Sequence, residues 1–136
     1  MRFPYVVAND QFGTLTPRLE LILAYQQKSV EVLGLVDSGS TVNGLPYSVG
    51  IALDARWNNQ PVVPGLTGNL RGVEVHALDT FVFHPQLTPH NPNPVRLVFA
   101  WAKSDDILVI FGQMNFFMEF NVCFFRAQST FEVTLK

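Results

Sequence analysis

The sequence predicts an all-β domain, a small barrel or sandwich with one short helix. Three observations predict it: short stretches in which apolar residues alternate with others, glycine and proline clusters between those stretches, and a single segment with helical spacing. The chain has 136 residues, a size that one hydrophobic core serves and that leaves no room for a second lobe.

Taken in order, residues 1–17 read as an irregular lead-in, because Pro4, Gly13 and Pro17 break any period. Residues 18–136 form the domain proper. From Arg18 to Ala24, Leu19, Leu21 and Leu23 alternate with Glu20 and Ile22, and after Gln26-Gln27-Lys28 a second β-rich stretch runs from Val30 to Val36. The pair reads as a hairpin whose second strand is apolar at its end, as a strand entering a core must be. The stretch from Leu45 through Trp57 has no clear period. Gly65-Leu66-Thr67-Gly68-Asn69-Leu70-Arg71-Gly72 holds three glycines in eight residues, which suits the projecting tip of a hairpin that returns as a strand to about Phe83.

Four prolines among residues 85–94 make that segment a loop. Val95 to Ala102 reads as the next strand, Lys103-Ser104-Asp105-Asp106 as a turn, and Ile107 to Phe111 as a buried strand stopped by Gly112. Met114, Phe117 and Met118 fall at helical spacing between Gln113 and Phe120, so the short helix belongs there. Val122 to Phe125 and Thr130 to Leu135 complete the strands.

Composition bounds the function. Hydrophobic residues make up 48% of the chain and charged residues 15%, with a formal net charge of −2. Such a chain folds, and it lacks the field that gathers nucleic acid or anionic lipid. The start, Met1-Arg2-Phe3-Pro4-Tyr5, is interrupted by a charge and a proline, unlike a secretory signal, and no apolar run reaches spanning length. The expectation is a soluble cytoplasmic protein with no membrane and no nucleic-acid partner. Cys123, the one cysteine, reads as a small buried hydrophobe.

Asp37-Ser38-Gly39 is the tripeptide that stands out. Alone it is turn chemistry, since these residue types favour turns. Its setting adds weight: it follows the buried Gly34-Leu35-Val36, a glycine-tipped hairpin comes after it, and Val109-Ile110-Phe111-Gly112 precedes a short helix far downstream.

In that order of motifs, from about Arg18 onward, the chain resembles the retroviral-type (retropepsin-like) aspartic proteases, as a single-domain, bacterial-like member. The resemblance implies a small closed acid-protease-type β-barrel with a flap hairpin and one short helix, one lobe per chain. It implies that Asp37 is the catalytic carboxylate, that Ser38 ties two active-site loops together across a dimer, and that Gly39 lets the loop turn. It makes Gly65, Leu66, Thr67, Gly68 and Asn69 the substrate-binding flap. Ile110, Phe111 and Gly112 match the family's apolar-apolar-glycine strand behind the site, with Phe111 bulkier than the usual aliphatic residue. The loop 85–94, the first seventeen residues and the sequence beyond Arg126 exceed the minimal pattern, so the family's interleaving of termini is not carried over.

This chemistry uses two carboxylates sharing one proton, the ionised one taking a proton from water and the protonated one polarising the carbonyl. One chain offers one such aspartate, so a homodimer is required, acting on an extended peptide with no metal or cofactor. The alternative is a member of the same fold that binds or scaffolds peptides without turnover. A third reading is an unrelated barrel in which Asp-Ser-Gly is only a turn.

Other candidates have plainer readings. His76 alternates with valines and leucine and belongs to a strand face. His84 and His90 flank the proline loop without carboxylate or cysteine company for a metal. Asp54, Asp79, Asp105 and Asp106 lack the buried strand and glycine that mark Asp37. Phe116, Phe117, Phe120, Phe124 and Phe125 are core packing, or a subunit interface if one face is exposed.

Overall fold

The computed structural model of the chain describes residues 1–8, 11–64, 70 and 72–136. Its strands are β1 (Arg2–Pro4), β2 (Val6–Val7), β3 (Leu15–Thr16), β4 (Arg18–Tyr25), β5 (Lys28–Val36), β6 (Asn43–Leu45), β7 (Val75–Phe83), β8 (Val95–Ala102), β9 (Ile110–Phe111), β10 (Phe120–Phe125) and β11 (Thr130–Leu135). Six of them close a barrel in the order β4-β5-β9-β6-β8-β7. Of the two all-β forms that the alternation allows, the chain forms the barrel, as the family resemblance implies.

The hairpin β4–β5 follows directly from its residues. Leu19, Leu21 and Leu23 face inward with Val32 and Val36, all buried, and Tyr25 pairs with Lys28 around the two-residue turn Gln26-Gln27. Gln26 takes the left-handed conformation, φ 52°, which a tight hairpin turn demands of one of its central residues. β7 and β8 pair antiparallel from Val75↔Ala102 to Val82↔Val95. They bury Leu78, Thr80 and Val82 against Leu97, Phe99 and Trp101. The Thr80 hydroxyl is satisfied there, donating to the Leu97 carbonyl at 2.9 Å.

Two strand pairs are parallel, β5 with β9 and β6 with β8, and β6 also meets β9 antiparallel at Gly44↔Ile110. The ends of β5, β6 and β9 therefore gather at one place, and that place holds Asp37.

Several local expectations change. The lead-in is not irregular throughout: β1 lies on β11, Arg2 opposite Glu132, and β2 pairs with β3. The strand expected from Ile107 is confined to Ile110–Phe111, because Leu108 is 51% exposed and carries no alternation into the core. Besides the helix near the C-terminal strands, α2 (Phe116–Glu119), there is a second, α1 (Tyr47–Ala52). Inside α1, Gly50 is needed because a Cβ there would overlap the Trp101 indole. That indole donates to the Tyr47 carbonyl at 3.1 Å. Cys123 is exposed rather than buried: alternation along β10 puts Phe120 and Val122 toward the core and Cys123 on the outer face opposite Glu132. Among the described residues no helix is long and apolar enough to cross a membrane.

Candidate active site

Asp37 sits where the buried strand β5 ends. Its backbone N–H donates to the Phe111 carbonyl at 3.0 Å, and the Leu35 N–H to the Val109 carbonyl at 2.9 Å, so β9 holds the strand end on one side. The Val36 N–H bonds the Pro17 carbonyl at 2.9 Å on the other. Past Asp37 the chain turns at once: Ser40 N–H returns to the Asp37 carbonyl at 3.1 Å, and Gly39 N–H donates to Asp37 Oδ1 at 2.9 Å. This is the aspartate-led turn that the tripeptide favours. The half-buried carboxylate is left with Oδ2 free of any protein partner among the described residues.

Ser38 and Gly39 are exposed beside it. The Ser38 hydroxyl has no partner within the chain among the described residues, while the Ser38 carbonyl accepts from Gln113 Nε2 at 2.7 Å. Two further bonds lace the loop to the segment after β9, Gln113 N–H to Ser40 carbonyl at 2.8 Å and Met114 N–H to Thr41 carbonyl at 2.9 Å. Gly112 is obligatory at this crossing, because a Cβ there would run into the Val42 and Ser40 carbonyl oxygens.

The structure brings Ile110, Phe111 and Gly112 to the back of the Asp37 loop, where the sequence resemblance places them. The bulk of Phe111 is accommodated by Gly34, whose missing side chain leaves room for the ring. Behind it Phe116 stacks at 5.1 Å between centroids, and Phe120 on Phe116 at 4.8 Å. The expected phenylalanine cluster is thus core at Phe116 and Phe120, while Phe124 stays 39% exposed.

Sequence reasoning missed the residue that locks this region together. Asn43, 0% exposed, accepts from Gly112 N–H through Oδ1 at 2.8 Å. Its Nδ2 donates to the Val98 carbonyl at 3.0 Å and to Asn115 Oδ1 at 3.2 Å. Asn115 accepts also from Val98 N–H at 2.9 Å and donates to the Arg96 carbonyl at 2.7 Å. A buried amide is stable only when fully bonded, and an asparagine inside the otherwise apolar Val42-Asn43-Gly44-Leu45 was the available signal.

The flap residues Gly65, Leu66, Thr67, Gly68 and Asn69 lie outside the described residues, as does Arg71. The base beside them is described: Val62 pairs with His76 in an antiparallel bridge, and Val63 N–H bonds the Val75 carbonyl at 2.9 Å. A small apolar cluster of Val75, Ala100 and Ala102, with Val42, Val63, Leu70, Val73 and Ile107 against it, runs from the residue after Thr41 to these arms. A cleft of about 260 Å³ opens on the arms themselves, lined by Val62, Pro64, Val73 and His76 among others.

Three of the other aspartates are engaged elsewhere. Asp79 makes a bidentate pair with Arg96 at 2.9 and 2.8 Å, Asp54 lies 3.7 Å from Lys28, and Asp105 caps the start of α1 by accepting Ser48 N–H at 2.8 Å. His76 stacks on Trp57 at 3.8 Å with Nδ1 2.7 Å from the Trp57 carbonyl, a structural contact on the strand face. Among the described residues no three His, Cys, Asp or Glu side chains come together.

Among solved structures the chain is similar to the EIAV protease complexed with the inhibitor HBY-793, at 14% sequence identity and a TM-score of 0.54, over 78% of this chain and 88% of that one. No family model and no curated protein matches the sequence. The likeness is one of fold, and the chain has the retropepsin-like fold.

Proposed function

We propose that the chain is one subunit of a homodimeric aspartic endopeptidase, with Asp37 from each copy forming the catalytic pair. The observation that carries this reading is the Asp37 turn: a carboxylate at the mouth of a buried strand, one oxygen fixed by Gly39 N–H at 2.9 Å and the other unengaged among the described residues. A two-fold axis beside this turn brings two such carboxylates together. Two like charges at close range cannot both ionise, so the pair shares a proton. The ionised member takes a proton from water as it attacks, and the protonated member polarises the scissile carbonyl. The exposed Ser38 hydroxyl, without a partner among the described residues of its own chain, binds the partner's loop, and Gly39 keeps the turn tight.

The substrate is an extended peptide, laid between the two Asp37 turns and the flap Gly65–Asn69, which closes over it and excludes water. The apolar cluster around Val42, Val63 and Ile107 supports pockets that prefer aliphatic or aromatic side chains. The likeness to an inhibitor-bound viral protease supports the same reading. No metal or cofactor enters the chemistry, and a cytoplasmic setting suits the exposed Cys123 thiol.

The second reading, a peptide-binding module of the same fold that does not turn over, is favoured by Asp37 having no acidic partner among the described residues of its own chain. A peptide library incubated from pH 3 to pH 8 and read by mass spectrometry separates the two. Cuts made by wild type and absent with Asp37→Asn support the protease. Peptide binding by both proteins with no cuts from either sinks it and leaves the module.

A further inference from the structure

Alternation along β7, β4 and β5 turns Leu21, Leu23, Val32 and Val82 into the core and their neighbours out to one shared surface. The register arranges that surface: Phe81 lies opposite Ala24, Ile22 sits between Phe83 and Glu31, and Glu20 faces Leu33. Three large apolar side chains stay uncovered there, Phe81 at 46% exposure, Phe83 at 45% and Leu33 at 40%. A cleft of about 400 Å³ opens on the same face, lined by Ile22, Phe83, His84 and Pro85 together with Glu20 and Glu31. An apolar patch with a polar rim marks a surface that another molecule covers.

Charge decides which molecule. Glu20 and Glu31 are diagonal neighbours on adjacent strands, a spacing of about 7–8 Å, and among the described residues neither makes an ion pair. The cations nearby are used elsewhere. Arg96, opposite Phe81, holds Asp79, Lys28 lies beside Asp54, and Arg18 Nε donates to Thr16 Oγ1 at 3.1 Å. His84 is neutral in this arrangement, since its Nδ1 accepts the N–H groups of Gln86 and Leu87. The two carboxylates therefore hold an uncompensated negative field over an apolar floor. A second copy laid face to face would set like charges against each other, and a phosphate-bearing partner would be repelled in the same way.

We propose that this face docks an extended segment of a partner protein that carries an arginine or lysine between apolar residues. The cation enters between Glu20 and Glu31, where the forked donors of an arginine reach both carboxylates. Its stem lies along Ile22 and the ring of Phe83. Side chains two residues apart in an extended segment share one side, so apolar residues flanking the cation come down toward Phe81 and Leu33. The site is on the outer wall of the barrel, apart from the Asp37 turn at the strand end, and it holds its partner whether or not that turn cleaves.

Fluorescence anisotropy of the full chain with short labelled peptides tests this, in the Asp37→Asn background so that no peptide is consumed. A peptide with leucine, arginine and phenylalanine at alternate positions and serine between them should bind, and more weakly as salt rises. Replacing its arginine by glutamate should weaken binding about tenfold or more, and so should Glu20→Gln combined with Glu31→Gln, with circular dichroism unchanged. Phe83→Ser should weaken it as well, which a bare charge pair would not require. Glu20→Lys combined with Glu31→Lys should turn the preference toward the glutamate peptide. No binding at millimolar peptide, equal binding of the two peptides, or binding that ignores both glutamates overturns the proposal. Spermine competing as well as the arginine peptide assigns the cleft to small cations and overturns it too. A dimer lost with Phe83→Ser assigns the face to a second copy, with the same result.

Discussion

The ring of Phe111 fills the space that a side chain at Gly34 would occupy: a Cβ built on Gly34 would overlap three of its ring atoms. The two residues come from adjacent parallel strands, β5 and β9, and both are buried. Glycine in a strand interior is disfavoured unless another group approaches closely, and here the approaching group stands directly behind the Asp37 turn.

Gly34→Ala should therefore destabilise the protein by about 1–3 kcal/mol through overpacking. Phe111→Leu, made in the same background, should recover part of that loss. A double-mutant cycle by urea unfolding measures the coupling, expected at about 0.5–3 kcal/mol for residues in contact. Additive effects would show that the ring and the glycine are not packed as described.

Asn43→Leu should cost about 3 kcal/mol or more, because it strands the Gly112 N–H and the Val98 carbonyl in a buried site, each worth about 1–3 kcal/mol. If the proposed protease activity holds, peptide cleavage should fall further than stability alone explains, since Gly112 sits against the Ser40 and Val42 carbonyls that follow the Asp37 turn. Equilibrium unfolding beside kcat at saturating substrate checks both parts.

Asp37→Asn should leave thermal unfolding nearly unchanged. The group is half-buried, and an amide oxygen accepts the Gly39 N–H as the carboxylate does. Its kcat should drop by about 10²–10⁴-fold or more, the range carried by a positioned acid or base. A large loss of stability would show that Asp37 is held for structure.

His84 gives a pH signature away from the Asp37 turn. Its Nδ1 accepts the backbone N–H groups of Gln86 and Leu87 at 3.1 and 3.2 Å, so the neutral ring is the form the loop uses. Burial lowers its pKa below the ordinary 6.5, partly opposed by Glu20. The unfolded chain thus binds a proton more readily than the folded one. Stability from this group is present in full above about pH 6.5 and is lost as pH falls through the lowered folded value. Unfolding midpoints of wild type and His84→Asn, whose carbonyl accepts without titrating, should differ by a constant above pH 7, and wild type should lose ground below it.

Legibility in the sequence followed locality. Val95–Ala102 and Thr130–Leu135 are strands with the bounds read from the sequence, and the hairpin β4–β5 was marked by three inward leucines and a short polar turn. The Asp37 turn was legible because its bonds lie within four residues. What the sequence hid depends on distant partners. β1 has three residues and acquires its form from β11, α1 tolerates Gly50 only because Trp101 lies over it, and Asn43 has meaning only beside Gly112, Val98 and Asn115. Cys123 was misjudged because residue type was weighed above its place in the alternation of β10.

The pairing of Arg2 with Glu132 also sets an order of assembly. Bringing these residues together closes a loop of nearly the whole chain, at an entropic cost of about 4 kcal/mol before any contact offsets it. The hairpins β4–β5 and β7–β8 close far shorter loops and form first. A nascent chain leaving the ribosome would complete its barrel while Arg2–Pro4 still waits for the last strand to emerge. In kinetic terms, substitutions at Phe3 or Phe131 should speed unfolding and leave the folding rate almost untouched.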